Sequence, residues 1–150
     1  MALLEHFHLD LALVIQSYAG EMLDMPLQLT CWYEGNSLPK KKIPNLRCLI
    51  WKSDSLKEIG YYKNIVSLNL SSFNGDLSPL AGLISLTNLN LYSFNGDISP
   101  LAELKSLTNL DLSYFNGDIS PLAGLISLTN LNLGSFKGDK SILKHLKCSF

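Results

Sequence analysis

The sequence predicts an α/β repeat fold: a short solenoid with a parallel sheet on one side and short helices or 3₁₀ turns on the other, preceded by a small helical cap. Three observations predict it. A six-residue opening recurs four times at intervals of 21 residues, as Ile65 to Leu70, Leu86 to Leu91, Leu107 to Leu112 and Leu128 to Leu133. A fixed period in this range marks stacked repeats that share one core. Within each opening, leucines alternate with Ser, Asn, Asp and Thr, the period-2 pattern of a strand with one buried face. After each of the first three openings comes an Asn-Gly-Asp turn and then Ser-Pro, where a short helix can begin.

One repeat, Leu86 to Ser106, serves for all. Leu89 and Leu91 point to the core, and Asn88, Asn90 and Tyr92 point out. Phe94 turns inward, as do Phe73, Phe115 and Phe136 in the other copies. The turn at Asn95-Gly96-Asp97 is expected to use glycine for a positive φ. Asp76, Asp97, Asp118 and Asp139 recur as turn caps. Ser99-Pro100, with Ser78-Pro79 and Ser120-Pro121, is expected to supply an N-cap and a first helical position. In the last copy Lys137 replaces the turn Asn, Lys140 the inward Ile and Ile142 the Pro. Charge at a terminal repeat blunts an edge that would otherwise pair with another chain.

The chain divides at residues 42/43, into a helical module (1–42) and the array (43–150). Residues 5–20 read as an amphipathic helix with Phe7, Leu11, Val14, Ile15 and Tyr18 on one face and Gly20 as a stop. Asp24-Met25-Pro26 restarts a helix that carries Leu27, Leu29, Cys31 and Trp32 and ends at Gly35-Asn36-Ser37. Lys40-Lys41-Lys42 reads as a solvated linker. Leu46, Leu49 and Trp51 occupy the three leucine positions of a worn first repeat, with Leu56 and Ile59 as its back-side packing. The array thus holds one degenerate and four full repeats.

Composition bounds the function. Apolar residues make up 47% of the 150 positions and charged residues 17%, which suits a packed chain. The net charge of −1 is evenly spread, so no basic surface for nucleic acid is implied. Cys31, Cys48 and Cys148 are an odd number at wide spacing. Reduced thiols and an intracellular setting are expected from them. No apolar run reaches the 18 or so residues that span a bilayer. No secretory leader is expected either, because no Lys or Arg precedes Leu9 to Ile15, and Glu5 and Asp10 stand where positive charge would be. His6 and His8 have no metal-ligand spacing to the cysteines, and no nucleophile elbow, ordered triad or phosphate loop is present. The expectation is a non-enzyme with no cofactor and no metal.

The L-x-x-L-x-L opening resembles that of leucine-rich repeat proteins. The wording Asp-Ile-Ser-Pro-Leu-Ala-x-Leu, at Asp97 to Leu104 and Asp118 to Leu125, looks like the repeats of bacterial internalins. That family usually has 22-residue repeats with an inward Asn after the strand; here the region is one residue shorter and carries Phe. The resemblance implies a protein-binding concave sheet. Residues 7–32 resemble an F-box, the helical module that docks on a Skp-type adaptor of cullin ubiquitin ligases. Asp10-Leu11, Ile15-Gln16-Ser17-Tyr18, Asp24-Met25 and Leu29-Thr30-Cys31 carry that likeness, while His8 stands where the family has Pro. It implies adaptor contacts at Leu11, Ile15, Leu27 and Leu29. A plain cap over the first repeat is the alternative reading of the same residues.

What remains is the outward strand face: Ser67, Asn69, Ser71; Asn88, Asn90, Tyr92; Asn109, Asp111, Ser113; Asn130, Asn132 and Gly134. A protein or peptide ligand is expected there, on Asn88, Asn90, Tyr92, Asn109, Asp111 and Tyr114. Aromatics at Tyr92 and Tyr114 set the middle of the array apart. Two alternatives stay open: a solvated asparagine ladder in a structural or decaying repeat protein without a ligand, and a substrate adaptor of a ubiquitin ligase.

Overall fold

The computed structural model describes residues 30–33, 47–51 and 54–148. They form a parallel sheet of six strands in sequence order: β1 (Thr30–Tyr33), β2 (Cys48–Trp51), β3 (Ser67–Asn69), β4 (Asn88–Asn90), β5 (Asn109–Asp111) and β6 (Asn130–Asn132). From β3 onward equivalent residues stack without a slip, so Leu68, Leu89, Leu110 and Leu131 stand in one row. Each strand is short because the next residues must turn toward the opposite side. That side consists of 3₁₀ helices, Ile59–Tyr61, Ser78–Gly82, Ser99–Glu103, Ser120–Gly124 and Ser141–Leu143. The three full-length ones carry Pro in the first turn, where its missing N–H costs nothing. This is the leucine-rich repeat solenoid that the spacing predicts.

The core runs as one column between sheet and helices. Leu70, Leu91 and Leu112 are fully buried, as are Leu80, Leu101 and Leu122 from the helices. Leu49, Trp51, Leu56 and Ile59 are buried too, so the worn first repeat packs as expected. Phe73, Phe94 and Phe115 lie inside; Phe73 and Phe94 stack with ring centroids 6.5 Å apart and planes 10° from parallel. Phe136, in the last repeat, is only partly buried. The core thus thins where the sequence becomes charged, while β6 keeps the length of the strands before it.

Four expectations change. First, Thr30–Tyr33 is a strand, not part of a helix, and pairs in register with Cys48–Trp51. Its Thr, Trp and Tyr suit a pleated surface better than a helix, and a paired edge satisfies its backbone. The sheet therefore begins before residue 43. The rest of the expected helical module lies outside the described residues.

Second, the turn glycines are not there for a positive φ: none of Gly75, Gly96, Gly117 and Gly138 lies in the left-handed region. They leave room for the preceding ring. A Cβ on Gly96 or Gly117 would sit 2.6 Å from Cζ of Phe94 or Phe115. The left-handed positions are instead Ser72, Ser93, Tyr114 and Ser135, at φ 62°, 61°, 68° and 69°.

Third, the serines before proline are not N-caps; positions 77, 98 and 119 hold that place and make no side-chain cap bond. The capping oxygen belongs to the aspartate. Asp97 Oδ1 accepts the Ser99 N–H at 2.8 Å and its hydroxyl at 2.6 Å, and Asp76 does the same for Ser78; Asp118 and Asp139 accept the N–H of Ser120 and Ser141 on Oδ1 and the hydroxyl on Oδ2. These are Asx turns, in which a side chain imitates a backbone acceptor two residues back. Fourth, Ser113 is buried rather than outward, its hydroxyl donating to Asp111.

Candidate functional site

The sheet face is an open groove of about 680 Å³ floored by the four strands from β3 to β6. The central leucines of those strands turn inward, leaving the Ser, Asn and Asp on either side to line it. Asn88, Asn90, Asn109 and Asp111 are half-buried there, in adjacent rows at the middle of the array.

Two hydrogen-bond systems fix these side chains. The first runs across the strands. Asn109 Nδ2 donates to Asn88 Oδ1, and Asn130 Nδ2 donates to Asn109 Oδ1 at 2.6 Å. Beside it, the hydroxyls of Thr87, Thr108 and Thr129 each donate at 3.1 Å to a carbonyl of the preceding repeat, those of Val66, Thr87 and Thr108. An amide is both donor and acceptor, so identical asparagines stacked in register satisfy one another. The asparagine ladder therefore exists. Its ends, and the faces of its amides, border the groove.

The second system closes the turn after each strand. Asn69 Oδ1 accepts the N–H of Ser71, Asn90 that of Tyr92, Asp111 that of Ser113 and Asn132 that of Gly134, all between 2.8 and 3.0 Å. An Asx residue is needed at this position to receive an N–H two residues on. Strand alternation alone left the identity of Asn90 and Asp111 free; the turn does not. The Phe that stands in place of an inward Asn has its own backbone N–H paired. The N–H of Phe73, Phe94, Phe115 and Phe136 each reaches a leucine carbonyl three residues back, at 3.0 to 3.1 Å.

Tyr92 and Tyr114 follow β4 and β5 in the chain and, unlike Asn88, Asn90, Asn109 and Asp111, are not among the residues that line the groove. Tyr92 is 41% exposed and Tyr114 51%. Their ring centroids are 5.3 Å apart with planes at 72°, an edge-to-face pair. The two are 22 positions apart in a chain whose strands repeat every 21, so they hold different places in the repeat. Tyr92 stands where the neighbouring copies have Ser71, Ser113 and Gly134. Tyr114 stands at the left-handed turn position, where the others have Ser72, Ser93 and Ser135. Its N–H bonds the Gly134 carbonyl at 2.7 Å, which pins the turn while the ring projects.

The groove has little ionising chemistry. The carboxylates that depart from their ordinary range, Asp76, Asp97, Asp118 and Asp139, belong to the Asx turns outside it. Each is held below the usual carboxylate value by the paired serine hydroxyl first and the serine N–H second. Cys48 and Cys148 are free thiols, and burial pushes that of Cys148 up. Among the described residues, no group of three or more His, Cys, Asp or Glu is placed to hold a metal ion. Leu11, Ile15, Leu27 and Leu29, the positions implied by the F-box likeness, lie outside the described residues.

No protein-family model matches the chain, and no curated protein matches it. Solved structures do. An internalin of Listeria monocytogenes is 40% identical over 59% of this chain and 28% of its own length, with a TM-score of 0.53. An internalin C2 of the same organism is 28% identical over 69% of this chain and 50% of its own, with a TM-score of 0.55. A leucine-rich repeat protein of Leptospira interrogans is 30% identical over 67% of this chain and 29% of its own, with a TM-score of 0.53. The chain thus spans between 28% and 50% of the length of these three proteins.

Proposed function

We propose that this chain, a leucine-rich repeat protein with internalin-like repeats, is an interaction module that takes a protein or peptide ligand across its sheet face, anchored at Tyr92 and Tyr114. The observation that carries this reading is Tyr114. A side chain at φ 68° sits in a backbone region that costs it about 1–2 kcal/mol; the equivalent Ser72, Ser93 and Ser135 share that backbone at φ 62°, 61° and 69°, so what sets position 114 apart is the large ring it projects. The ring is exposed, so no core packing offsets the strain. Tyrosine is also an efficient anchor, because it buries a large area with few torsions to freeze.

The asparagine rows supply amide donors and acceptors along the path of a ligand, and the tyrosine pair follows two of the strands that floor it. Size limits the partner. A standard interface uses about 20–30 residues a side, more than the outward positions of the strands supply. The groove suits a peptide segment or a modest protein contact.

Affinity purification on the intact chain, followed by identification of what binds, supplies the ligand for the test. Tyr92→Ala and Tyr114→Ser should each weaken that binding by about 2 kcal/mol or more while the melting temperature barely moves. Glu103→Ala and Lys105→Ala, on exposed turns away from the groove, should leave it intact. Loss of binding with the second pair and not the first would assign the ligand to another surface.

A further inference from the structure

Along the turn that follows each 3₁₀ helix, one exposed residue per repeat projects into solvent. The equivalent positions follow from the hydrogen bonds that close these helices: the N–H groups of Tyr62, Leu83, Leu104, Leu125 and Leu146 each bond the carbonyl three residues back. The next residue in each case is Lys63, Ile84, Lys105, Ile126 and Lys147. All five are exposed, and Ile84 and Ile126 are 69% and 80% so, the two most exposed large apolar side chains among the described residues. The row therefore alternates ammonium and isoleucine across the five repeats, and it contains no carboxylate.

From this we propose that the Lys63–Ile84–Lys105–Ile126–Lys147 row is a second docking surface, separate from the sheet groove, and that its occupant is an acidic amphipathic helix of a partner protein. Charge and spacing both select that occupant. Stacked repeats are about 4.8 Å apart at the sheet, and one helical turn rises about 5.4 Å, so a helix laid along the row meets one repeat per turn with a drift of about 2 Å over its length. A carboxylate on every second turn would meet Lys63, Lys105 and Lys147, and an apolar residue on the turns between would cover Ile84 and Ile126. An extended strand, with same-face residues about 6.8 Å apart, falls out of step.

The floor is low beside Ile84, while beside Ile126 the Lys105 ammonium lies 3.1 Å from where a Gly124 Cβ would stand. Gly82 precedes Ile84 by two residues, with no atom within 4 Å of where its Cβ would stand, and Gly124 holds the same place before Ile126, with Lys105 Nζ 3.5 Å from its carbonyl oxygen. Glu103, at the corresponding place before Lys105, is an acidic group beside the middle of the row, and an acidic helix there would turn a neutral residue toward it. A ridge one side chain wide offers a bilayer little apolar area, whereas a helix can straddle it.

The test uses a fluorescently labelled probe peptide with Glu and Leu alternating turn by turn on one face and Ala and Gln elsewhere. A second peptide of the same composition in scrambled order is the control. Anisotropy titration of the intact chain should show saturable binding of the ordered probe and none of the scrambled one. Ile126→Ser and Lys105→Glu should each weaken it by about tenfold or more, equivalent to about 1.4 kcal/mol. Both residues are exposed, so circular dichroism should be unchanged. Tyr92→Ala should bind the probe as the parent does, which keeps this result independent of the groove. Absence of probe binding, or binding indifferent to Ile126→Ser and Lys105→Glu, overturns the proposal. So does binding to vesicles of mixed neutral and anionic phospholipid without binding to the probe, which would assign the row to a membrane surface.

Discussion

Positions 93 and 96 lie three residues apart in the same turn and make opposite demands. Ser93 holds the left-handed backbone, where glycine would be at ease. Gly96 has ordinary backbone but faces the Phe94 ring, where only glycine fits. The repeat has therefore placed its glycine by space and not by conformation. The difference shows which parts of the 21-residue pattern are fixed by the interior and which are open to use. The glycine that faces the ring does not vary: Phe73, Phe94, Phe115 and Phe136 are each followed two residues later by glycine. At the left-handed position the cost is tolerable and the side chain is outside. There the chain carries serine three times and, once, Tyr114.

The largest effect should come from the ring. Phe94→Ala or Phe115→Ala removes a side chain that is 0% or 1% exposed and should cost about 3–5 kcal/mol in denaturant unfolding. A small loss at both would place the stack outside the core. Gly117→Ala should cost about 1–3 kcal/mol, because its methyl would overlap a ring that has no room to retreat. Ser93→Gly should go the other way. Relief of the left-handed penalty, less the entropy that glycine adds to the unfolded chain, leaves a gain of up to about 1 kcal/mol. If both glycine changes carry the same sign, the contrast between the two positions fails.

The smallest effect should be on acid sensitivity. Asp76, Asp97, Asp118 and Asp139 bind protons less readily folded than unfolded. Their stabilisation is present above the ordinary carboxylate range near pH 3.9 and is lost as pH falls through their lower folded values. The melting temperature should be level from pH 8 to 5 and decline below about pH 4. Asp97→Asn with Asp118→Asn should flatten that decline, since an amide accepts the serine N–H without titrating.

The solenoid was legible because leucine spacing and strand alternation state the same frame four times. β1 was not, because its copy is worn and its spacing differs: Thr30 pairs with Cys48, 18 residues on, while later strands pair at 21. Without the leucine frame, Pro26 and the apolar residues after it read as helix. The aspartate turns were legible as caps, but their serine partners were misassigned, since Ser-Pro alone looks like an N-cap. The site was legible as a list of outward residues. Its hydrogen bonds were not, because alternation gives the direction of a side chain and not its partner. The contact of Tyr92 with Tyr114 was hidden for a simpler reason: a 21-residue frame never aligns residues 22 apart. The row from Lys63 to Lys147 was hidden because its members lie outside the strands, where alternation gives no guide.

The most direct test of the central claim, that the groove and the tyrosine pair hold the ligand, is site-specific photo-crosslinking with the purified ligand. A photoreactive phenylalanine placed at Tyr114 keeps an aromatic ring at that position; the same residue at Glu103 reports on the far side. The account predicts cross-links from position 114 and none from position 103, with the cross-linked product abolished by Tyr92→Ala. Cross-links from position 103 alone would contradict it.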